Sequence, residues 1–283
     1  MWKSILICCL FFTVIPFAMQ GQVNFPDPSP SQTIRQDLAM SYIELKYSRP
    51  GARGRKMIGH VEPYDSVWRA GANAPTRITF KDAVEIGGTK VDTGSYVIYL
   101  IPTKTNWTFI LNRGLQNWGS DGYKPENDVV RFTVKPETSK DFRETLSYEF
   151  NTVKAESCEL SISWENWKLR VPIVAPIKEK LRAQIEANLK SNAPVYWFAA
   201  QFYYEYDKDY PKALEMISKA IEANEKRGAK PYWQYHYKAR ILKDLGQKKE
   251  AVEMATLSSK YAKEHGNRNN YIKLNDELIK SIK

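Results

Sequence analysis

Apolar and polar residues alternate in short runs from about residue 38 to residue 173. In the first run Ile43, Leu45 and Tyr47 alternate with Glu44 and Lys46, which is the pattern of a strand with one buried face. Further runs of the same period are Thr76–Phe80, Ser95–Ile101, Trp107–Leu111, Val129–Val134, Leu146–Phe150, Cys158–Trp164 and Trp167–Ile173. The pattern therefore predicts a domain built from many short strands.

Turn residues separate these runs. They include Gly87-Gly88, Asp92-Thr93-Gly94 and Asn112-Arg113-Gly114. The pair Glu165-Asn166 joins the last two runs through a two-residue link, which predicts a hairpin. Short strands at regular spacing, with no helical pattern between them, favour an antiparallel β-sandwich, with a related barrel as the alternative. We assign the β-sandwich to residues 38–175.

From residue 176 onward the apolar residues recur with a helical period. Two sets of residues 38 positions apart share one order of large and small side chains: Trp197, Tyr204, Ala213, Ile217 and Ala220, then Tyr235, Leu242, Ala251, Ala255 and Ser258. This order resembles the tetratricopeptide repeat, whose usual period is about 34 residues. The alternative is a generic bundle of helical hairpins. Residues 176–283 are therefore predicted to form an α-helical, tetratricopeptide-like repeat domain.

The N-terminus has the features of a secretory signal peptide. Lys3 precedes the apolar run Ile5–Phe17, which is shorter than the roughly 20 residues needed to cross a bilayer. The alternative is an uncleaved anchor. We predict a signal peptide over residues 1–21, an N-terminal extension over residues 22–37 and no membrane span elsewhere. The protein is then exported to the periplasm or the cell exterior.

The charge of the chain is unevenly distributed. The full sequence has a net charge of +10, and removal of the signal peptide leaves +9. Residues 22–175 have 20 basic against 18 acidic side chains, whereas residues 176–283 have 21 against 14, a net of +7. An exported protein meets little nucleic acid, so we expect no nucleic-acid partner. The excess charge indicates a role in solubility, an anionic surface or an acidic partner instead.

The segment Tyr47–Asn73, which we call the motif segment, fits neither the strand pattern nor the helical pattern. Glycine and proline interrupt it every few residues, and between Lys46 and Lys56 five residues are basic and none is acidic. Guanidinium groups this close together repel one another unless they are solvated, paired with acids or arranged around an anion. The residues we predict to bind a ligand are Tyr47, Arg49, Arg55, Lys56, Tyr64, Trp68, Arg69 and Asn73.

Each residue type has a distinct expected role in that site. The basic side chains would contact a carboxylate, phosphate or sulfate group. The aromatic side chains, with Trp118 as a further candidate, would stack on a ring or line the pocket, and Asn73 would donate a hydrogen bond. The predicted ligand is therefore an anionic small molecule or a glycan.

Short motifs across the β region match those of one known family. They are YSRP at Tyr47–Pro50, GR at Gly54-Arg55, PY at Pro63-Tyr64, VWRAGAN at Val67–Asn73, GG at Gly87-Gly88, GSY at Gly94–Tyr96, IP at Ile101-Pro102, and Trp107 with Asn112. On these motifs, residues 25–173 resemble the exported family known as domain of unknown function 2911, found mostly in Bacteroidota. The resemblance implies an exported β domain without a known reaction, followed in several members by helical repeats. His60 departs from the family pattern.

The sequence lacks the familiar signatures of metal binding and catalysis. Its histidines are His60, His236 and His265, and it has no H-x-x-H or C-x-x-C spacing, no G-x-S-x-G elbow and no phosphate-binding glycine loop. We therefore expect no metal site and no cofactor.

Three hypotheses remain for the motif segment. The first is a non-enzymatic envelope protein whose β domain binds an anionic or carbohydrate group and whose residues 178–283 bind a protein partner. The second is an envelope hydrolase of unassigned class, in which the basic cluster stabilises negative charge and Tyr64 or His60 transfers a proton. The third gives the basic residues a structural role, as partners of Glu62, Asp65 and Asp128. We favour the first hypothesis.

Overall fold

The computed structural model describes residues 25–282, so the predicted signal peptide lies outside the described residues. The strands in this range are β1 (Ser31–Leu38), β2 (Ser41–Ser48), β3 (Arg77–Phe80), β4 (Val84–Ile86), β5 (Thr89–Val91), β6 (Gly94–Pro102), β7 (Trp107–Asn112), β8 (Asp128–Val134), β9 (Glu137–Asn151) and β10 (Ser157–Val174). The helices that follow are α1 (Lys178–Leu189), α2 (Tyr196–Phe202), α3 (Tyr210–Glu225), α4 (Tyr232–Asp244), α5 (Lys248–Glu264) and α6 (Tyr271–Ile282).

The strands form two antiparallel sheets. One sheet has six strands in the order β1-β2-β3-β6-β7-β8, and the other has four in the order β5-β4-β10-β9. Ile43 and Leu45 of the first sheet share one buried core with Leu160 and Ile162 of the second. The predicted architecture, an antiparallel β-sandwich followed by a helical region, is confirmed.

The β region begins earlier in the chain than predicted. Strand β1 pairs with β2 along its whole length, from Ser31 opposite Ser48 to Leu38 opposite Ser41. It is an edge strand with mostly exposed or half-exposed residues, and its sequence SQTIRQDL contains only two apolar side chains. The segment predicted as an extension therefore contains most of a strand.

The predicted hairpin at Glu165-Asn166 is wrong. Both halves of β10 pair with the same neighbour, since Ser163 lies opposite Ser147 and Trp167 lies opposite Thr138 in β9. Glu165 has a positive φ of 48°, and the strand register shifts on both sides of it. The two polar residues thus mark a β-bulge, which bends a strand without reversing it.

The motif segment passes between the two sheets. Just after β2, the Ala52 N–H donates to the carbonyl of Glu144 in β9 at 2.8 Å. Further along, the Trp68 N–H donates to the carbonyl of Leu100 in β6 at 2.8 Å, and the Leu100 N–H donates back at 2.9 Å. Chains that change sheets in this way form the corners of β-sandwiches, so the unusual composition of the segment is partly structural.

The helices pack against their neighbours in sequence. Helix α2 lies against α3, α4 against α5, and α5 against α6. Ala213 in α3 and Ala251 in α5 are completely buried, and such small side chains let helices approach closely. No helix in residues 25–282 combines the length and the apolar character that crossing a membrane requires.

The start of the helical region packs on the sandwich. Ile177 belongs to the core of the β region, and Leu181 and Tyr206 pack against that core. The ammonium group of Lys180 lies 2.7 Å from a carboxylate oxygen of Asp82. The first helix is therefore attached to the β region by both apolar contact and an ion pair.

Candidate functional site

The predicted site residues occupy three kinds of environment. Tyr47 and Trp68 are core residues. Trp68 is 2% exposed and stacks on Trp164 with ring centroids 5.7 Å apart. Tyr47 is equally buried, and its hydroxyl donates to Gln32 at 2.6 Å and accepts the N–H of Tyr148 at 3.1 Å. Burial raises the pKa of the Tyr47 hydroxyl. These two side chains hold the sandwich together and offer little surface to a ligand.

Three other predicted residues anchor neighbouring segments. Their contacts are Arg49 to the Ser147 hydroxyl at 3.2 Å, Arg55 to the Ala52 carbonyl at 3.1 Å, and Asn73 to the Asp27 carboxylate at 3.0 Å. The two guanidinium groups thus donate to neutral oxygens. The hypothesis of ion pairs with Glu62, Asp65 and Asp128 does not describe them.

The last three predicted residues line clefts. Lys56 and Tyr64 line a cleft of about 700 Å³ at one end of the sandwich, which we call the end cleft. Arg69 lines a smaller cleft of about 210 Å³, which we call the side cleft, and the edge of Trp68 reaches it. The structure therefore divides these three residues between two concavities, and the buried Tyr47 borders a third cavity of about 170 Å³.

Connections from both sheets meet around the end cleft. Its lining consists of Lys56, Ile58, Tyr64, Thr103–Trp107, Lys135–Thr138 and Glu165–Trp167. These residues come from the motif segment, the β6–β7 turn, the β8–β9 connection and the bulge of β10. Clefts at the ends of sheets, formed by loops on a rigid scaffold, are common ligand sites.

Glu165 fixes the motif segment to the end cleft. Its carboxylate accepts the backbone N–H groups of Met57 and Ile58 at 2.9 and 3.2 Å. The positive φ of Glu165 turns this side chain out of the normal strand alternation. Because Lys56 directly precedes the two bonded residues, the contact also determines where the Lys56 backbone lies.

The position of the Tyr64 ring depends on Gly59. Gly59 has a φ of +85°, and a Cβ atom there would lie 2.4 Å from a ring carbon of Tyr64. Only glycine allows both the backbone conformation and the ring contact. Tyr64 is partly exposed and lines the cleft.

Indole rings form the floor of the end cleft. Trp107 is 3% exposed and lies against Trp167, with ring centroids 4.3 Å apart. The Trp167 Nε1–H is buried, and no residue between 25 and 282 accepts a hydrogen bond from it. Trp68 packs edge-on against the same ring at 6.3 Å. The floor thus combines an apolar surface with a donor that lacks a partner within the described residues.

Three ammonium groups give the end cleft its charge. Lys56, Lys104 and Lys135 line it, and none of them forms an ion pair within the described part of the chain. The two carboxylates of the lining are engaged elsewhere, because Glu137 pairs with Arg170 at 3.0 Å and Glu165 accepts the backbone bonds described above. The cleft is therefore cationic and suited to a negatively charged ligand.

The side cleft has a different composition. It is lined by Glu62, Trp68, Arg69 and Trp118–Asp121. Burial raises the pKa of Glu62 to about 7, although the Arg69 guanidinium opposes part of that shift. A carboxyl group that changes charge near neutral pH is uncommon away from functional sites.

Sequence reasoning missed Lys104, Lys135, Glu165 and Trp167. Each lies alone among strand or turn residues, so no local motif marks it. A signal existed in the succession of predicted strands along the chain, because when consecutive antiparallel strands pair as a meander, the connections after the first and third strands lie at the same end. Lys104 follows β6 and Lys135 follows β8, which places both at one end.

Comparison with known proteins gives one match. A family model described as "Protein of unknown function (DUF2911)" matches residues 29–173, just over half of the chain. The matched region contains both sheets and both clefts, apart from the last residue of β10. No curated protein and no solved structure matches the chain.

Proposed function

The chain belongs to the DUF2911 family, whose description names no reaction, and from the geometry of the end cleft we propose that it is a non-enzymatic binding protein of the cell envelope. Its β domain binds an anionic glycan in the end cleft. Its helical region binds a protein partner.

The observation that supports the glycan site is a set of three lysines, none ion-paired within residues 25–282, beside an indole floor. Lys56, Lys104 and Lys135 come from three separate connections, so three parts of the cleft wall contribute positive charge. Ammonium groups attract sulfate, phosphate and carboxylate groups as point charges. Trp167 adds an apolar ring surface to the cleft, which suits the apolar face of a sugar ring.

The engaged carboxylates favour binding over hydrolysis at this cleft. Glycoside hydrolysis uses two carboxyl groups that are free to act on the sugar. Glu137 is held by Arg170, and Glu165 is held by two backbone N–H groups. Neither carboxylate is positioned as a proton donor or a nucleophile.

The test is a comparison of a sulfated tetrasaccharide with its desulfated form, measured by calorimetric titration of residues 22–283. We expect the sulfated form to bind more tightly. The triple variant Lys56→Gln, Lys104→Gln, Lys135→Gln should bind it at least about tenfold more weakly, because three charge contacts of modest individual strength are lost.

A matched control variant removes three positive charges outside the cleft. Lys190, Lys248 and Lys249 are exposed residues of the helical region and do not line the end cleft. Their triple glutamine variant should bind like the wild type. Equal loss in both triple variants would show a non-specific charge effect, and equal binding of both sugars would contradict the proposal.

The partner proposal rests on the helical region. The two residue sets 38 positions apart occupy corresponding places in two helix pairs, with Ala213 in α3 and Ala251 in α5, which supports a tetratricopeptide-like repeat. Phe198 in α2 is 60% exposed, and residues 176–283 have a net charge of +7. These features favour an acidic protein partner.

A photoreactive residue tests the partner proposal. Placed at Phe198 of the full chain, it should crosslink one discrete protein in the envelope fraction. The same group placed at the exposed residue Lys140 of the β region serves as the control. The proposal would be wrong if position 198 gave no crosslink or the same products as position 140.

A further inference from the structure

The side cleft lies beside the outer face of the six-stranded sheet. Alternate residues of β6, Val97 and Tyr99, form a separate small cluster with Leu115 and Tyr123 of the loop that follows β7. This loop, residues 113–124, therefore covers the outer face of the six-stranded sheet. The side cleft is the space between the loop and the motif segment.

The loop holds an exposed indole in a defined position. Trp118 is 66% exposed, and the residues beside it are fixed to the sheet. The hydroxyl of Tyr99 donates to the Gly119 carbonyl at 3.4 Å and accepts from the Asn117 amide at 3.1 Å. A large apolar side chain that is exposed on an anchored loop is typical of a binding surface.

The Arg69 guanidinium lies beside this loop. A Cβ atom at Gly119 would come within 2.8 Å of Arg69 Nη1, so the guanidinium lies directly against the glycine backbone. Nη1 donates to the Asn73 carbonyl at 3.3 Å, and within residues 25–282 Arg69 forms no ion pair. Its remaining N–H groups are free for the two-point contact that guanidinium makes with a carboxylate.

We propose that the side cleft is a second ligand site, which takes a sugar ring bearing a carboxylate. The carboxylate pairs with the Arg69 guanidinium, and the ring lies against the Trp118 indole. The volume of about 210 Å³ admits one sugar unit, with the rest of an oligosaccharide outside. Ser120 lines the same space, and its hydroxyl would be a hydrogen-bond partner for the sugar. This site does not depend on the end cleft.

Binding of the ligand carboxylate at this site is coupled to protonation of Glu62. The charged groups that line the side cleft are Glu62 and Arg69 from the motif segment and Asp121 from the loop. An ionised Glu62 would repel the incoming carboxylate, whereas a protonated Glu62 would not. Since burial places the pKa of Glu62 at about 7, affinity should rise as the pH falls through neutrality.

The experiment uses galacturonate trimer and its methyl ester, titrated into residues 22–283 at pH 6 and pH 8. The trimer should bind at least tenfold more tightly than the ester, because esterification removes the charge that Arg69 recognises. Trp118→Ala and Arg69→Met should each weaken binding of the trimer by about tenfold or more. Trp118→Ala should leave the melting temperature unchanged, because the indole is exposed.

Two further variants test the pH dependence of binding and distinguish the side cleft from the end cleft. Wild-type affinity for the trimer should be several-fold higher at pH 6 than at pH 8, and Glu62→Gln should remove this difference. In the background of the triple lysine variant of the end cleft, Arg69→Met should still weaken binding of the trimer by about tenfold, so failure at one cleft is distinguishable from failure at the other. Absence of trimer binding at millimolar concentration, equal binding of the ester, or unchanged affinity in Trp118→Ala would overturn the proposal.

Discussion

Replacement of Trp68 by alanine will lower the free energy of unfolding of the β domain by about 3–5 kcal/mol, the range observed when large aromatic side chains are removed from protein cores. Trp68 is 2% exposed and stacks on Trp164, which is also buried. It also packs edge-on against Trp167. The cavity left by the substitution would therefore loosen the floor of the end cleft.

Trp118→Ala is the matched control for that substitution. It removes the same side chain at a position that is 66% exposed, so the expected change in unfolding free energy is below about 0.5 kcal/mol. Urea denaturation followed by near-ultraviolet circular dichroism measures both variants. A Trp68→Ala protein as stable as the Trp118→Ala protein would contradict the placement of Trp68 in the core.

Replacement of Glu165 by alanine should destabilise the β domain by about 2–4 kcal/mol. It removes the acceptor of two backbone N–H groups, those of the buried residues Met57 and Ile58, and each unsatisfied buried donor costs about 1–3 kcal/mol. The substitution should also weaken binding of the sulfated tetrasaccharide, because Lys56 is no longer held beside the cleft. Chemical denaturation and calorimetric titration measure the two effects.

Glu165→Gln separates the contribution of hydrogen bonding from that of the negative charge. The amide keeps one acceptor oxygen but loses the charge, so we expect roughly half of the stability loss and an intermediate affinity. Alanine and glutamate are both disfavoured at a positive φ. The comparison of Glu165→Ala with the wild type therefore does not include a change in backbone strain. A Glu165→Ala protein with wild-type stability and affinity would show that this contact does not fix the motif segment.

The strands could be predicted where one face is buried. Ile43, Leu45 and Tyr47 alternate with polar residues because one side of β2 faces the core. The edge strand β1 has mostly exposed or half-exposed residues, so its sequence has no such alternation and it was missed. Burial on one face, and not strand formation itself, produces the sequence pattern.

The error at Glu165-Asn166 has a related cause. Two polar residues between apolar runs are compatible with a tight turn or with a bulge. The difference is decided by β9, a strand of 15 residues that pairs with both halves of β10. Whether Glu165-Asn166 forms a turn or a bulge therefore depends on β9, which lies outside the local sequence.

The motif segment shows the limit of reasoning from residue types. Tyr47 and Trp68 were predicted as stacking surfaces, and the structure places both in the core. Lys56, Tyr64 and Arg69 reach clefts, but the lysines that complete the end cleft come from distant turns. Aromatic and basic side chains serve corners and cores as well as ligands, and burial has to be known before the two uses can be separated.

The most direct test of the proposed glycan site is an NMR titration of residues 22–283 with the sulfated tetrasaccharide, followed at the indole Nε1–H resonances. Trp167→Phe identifies the relevant signal. Trp167 lines the end cleft, and its buried Nε1–H has no acceptor within the described residues, so its resonance should shift when a sugar packs against the ring, while that of Trp118 stays in place. Binding that leaves the Trp167 resonance unchanged, or no binding at millimolar sugar, would contradict a glycan site in the end cleft.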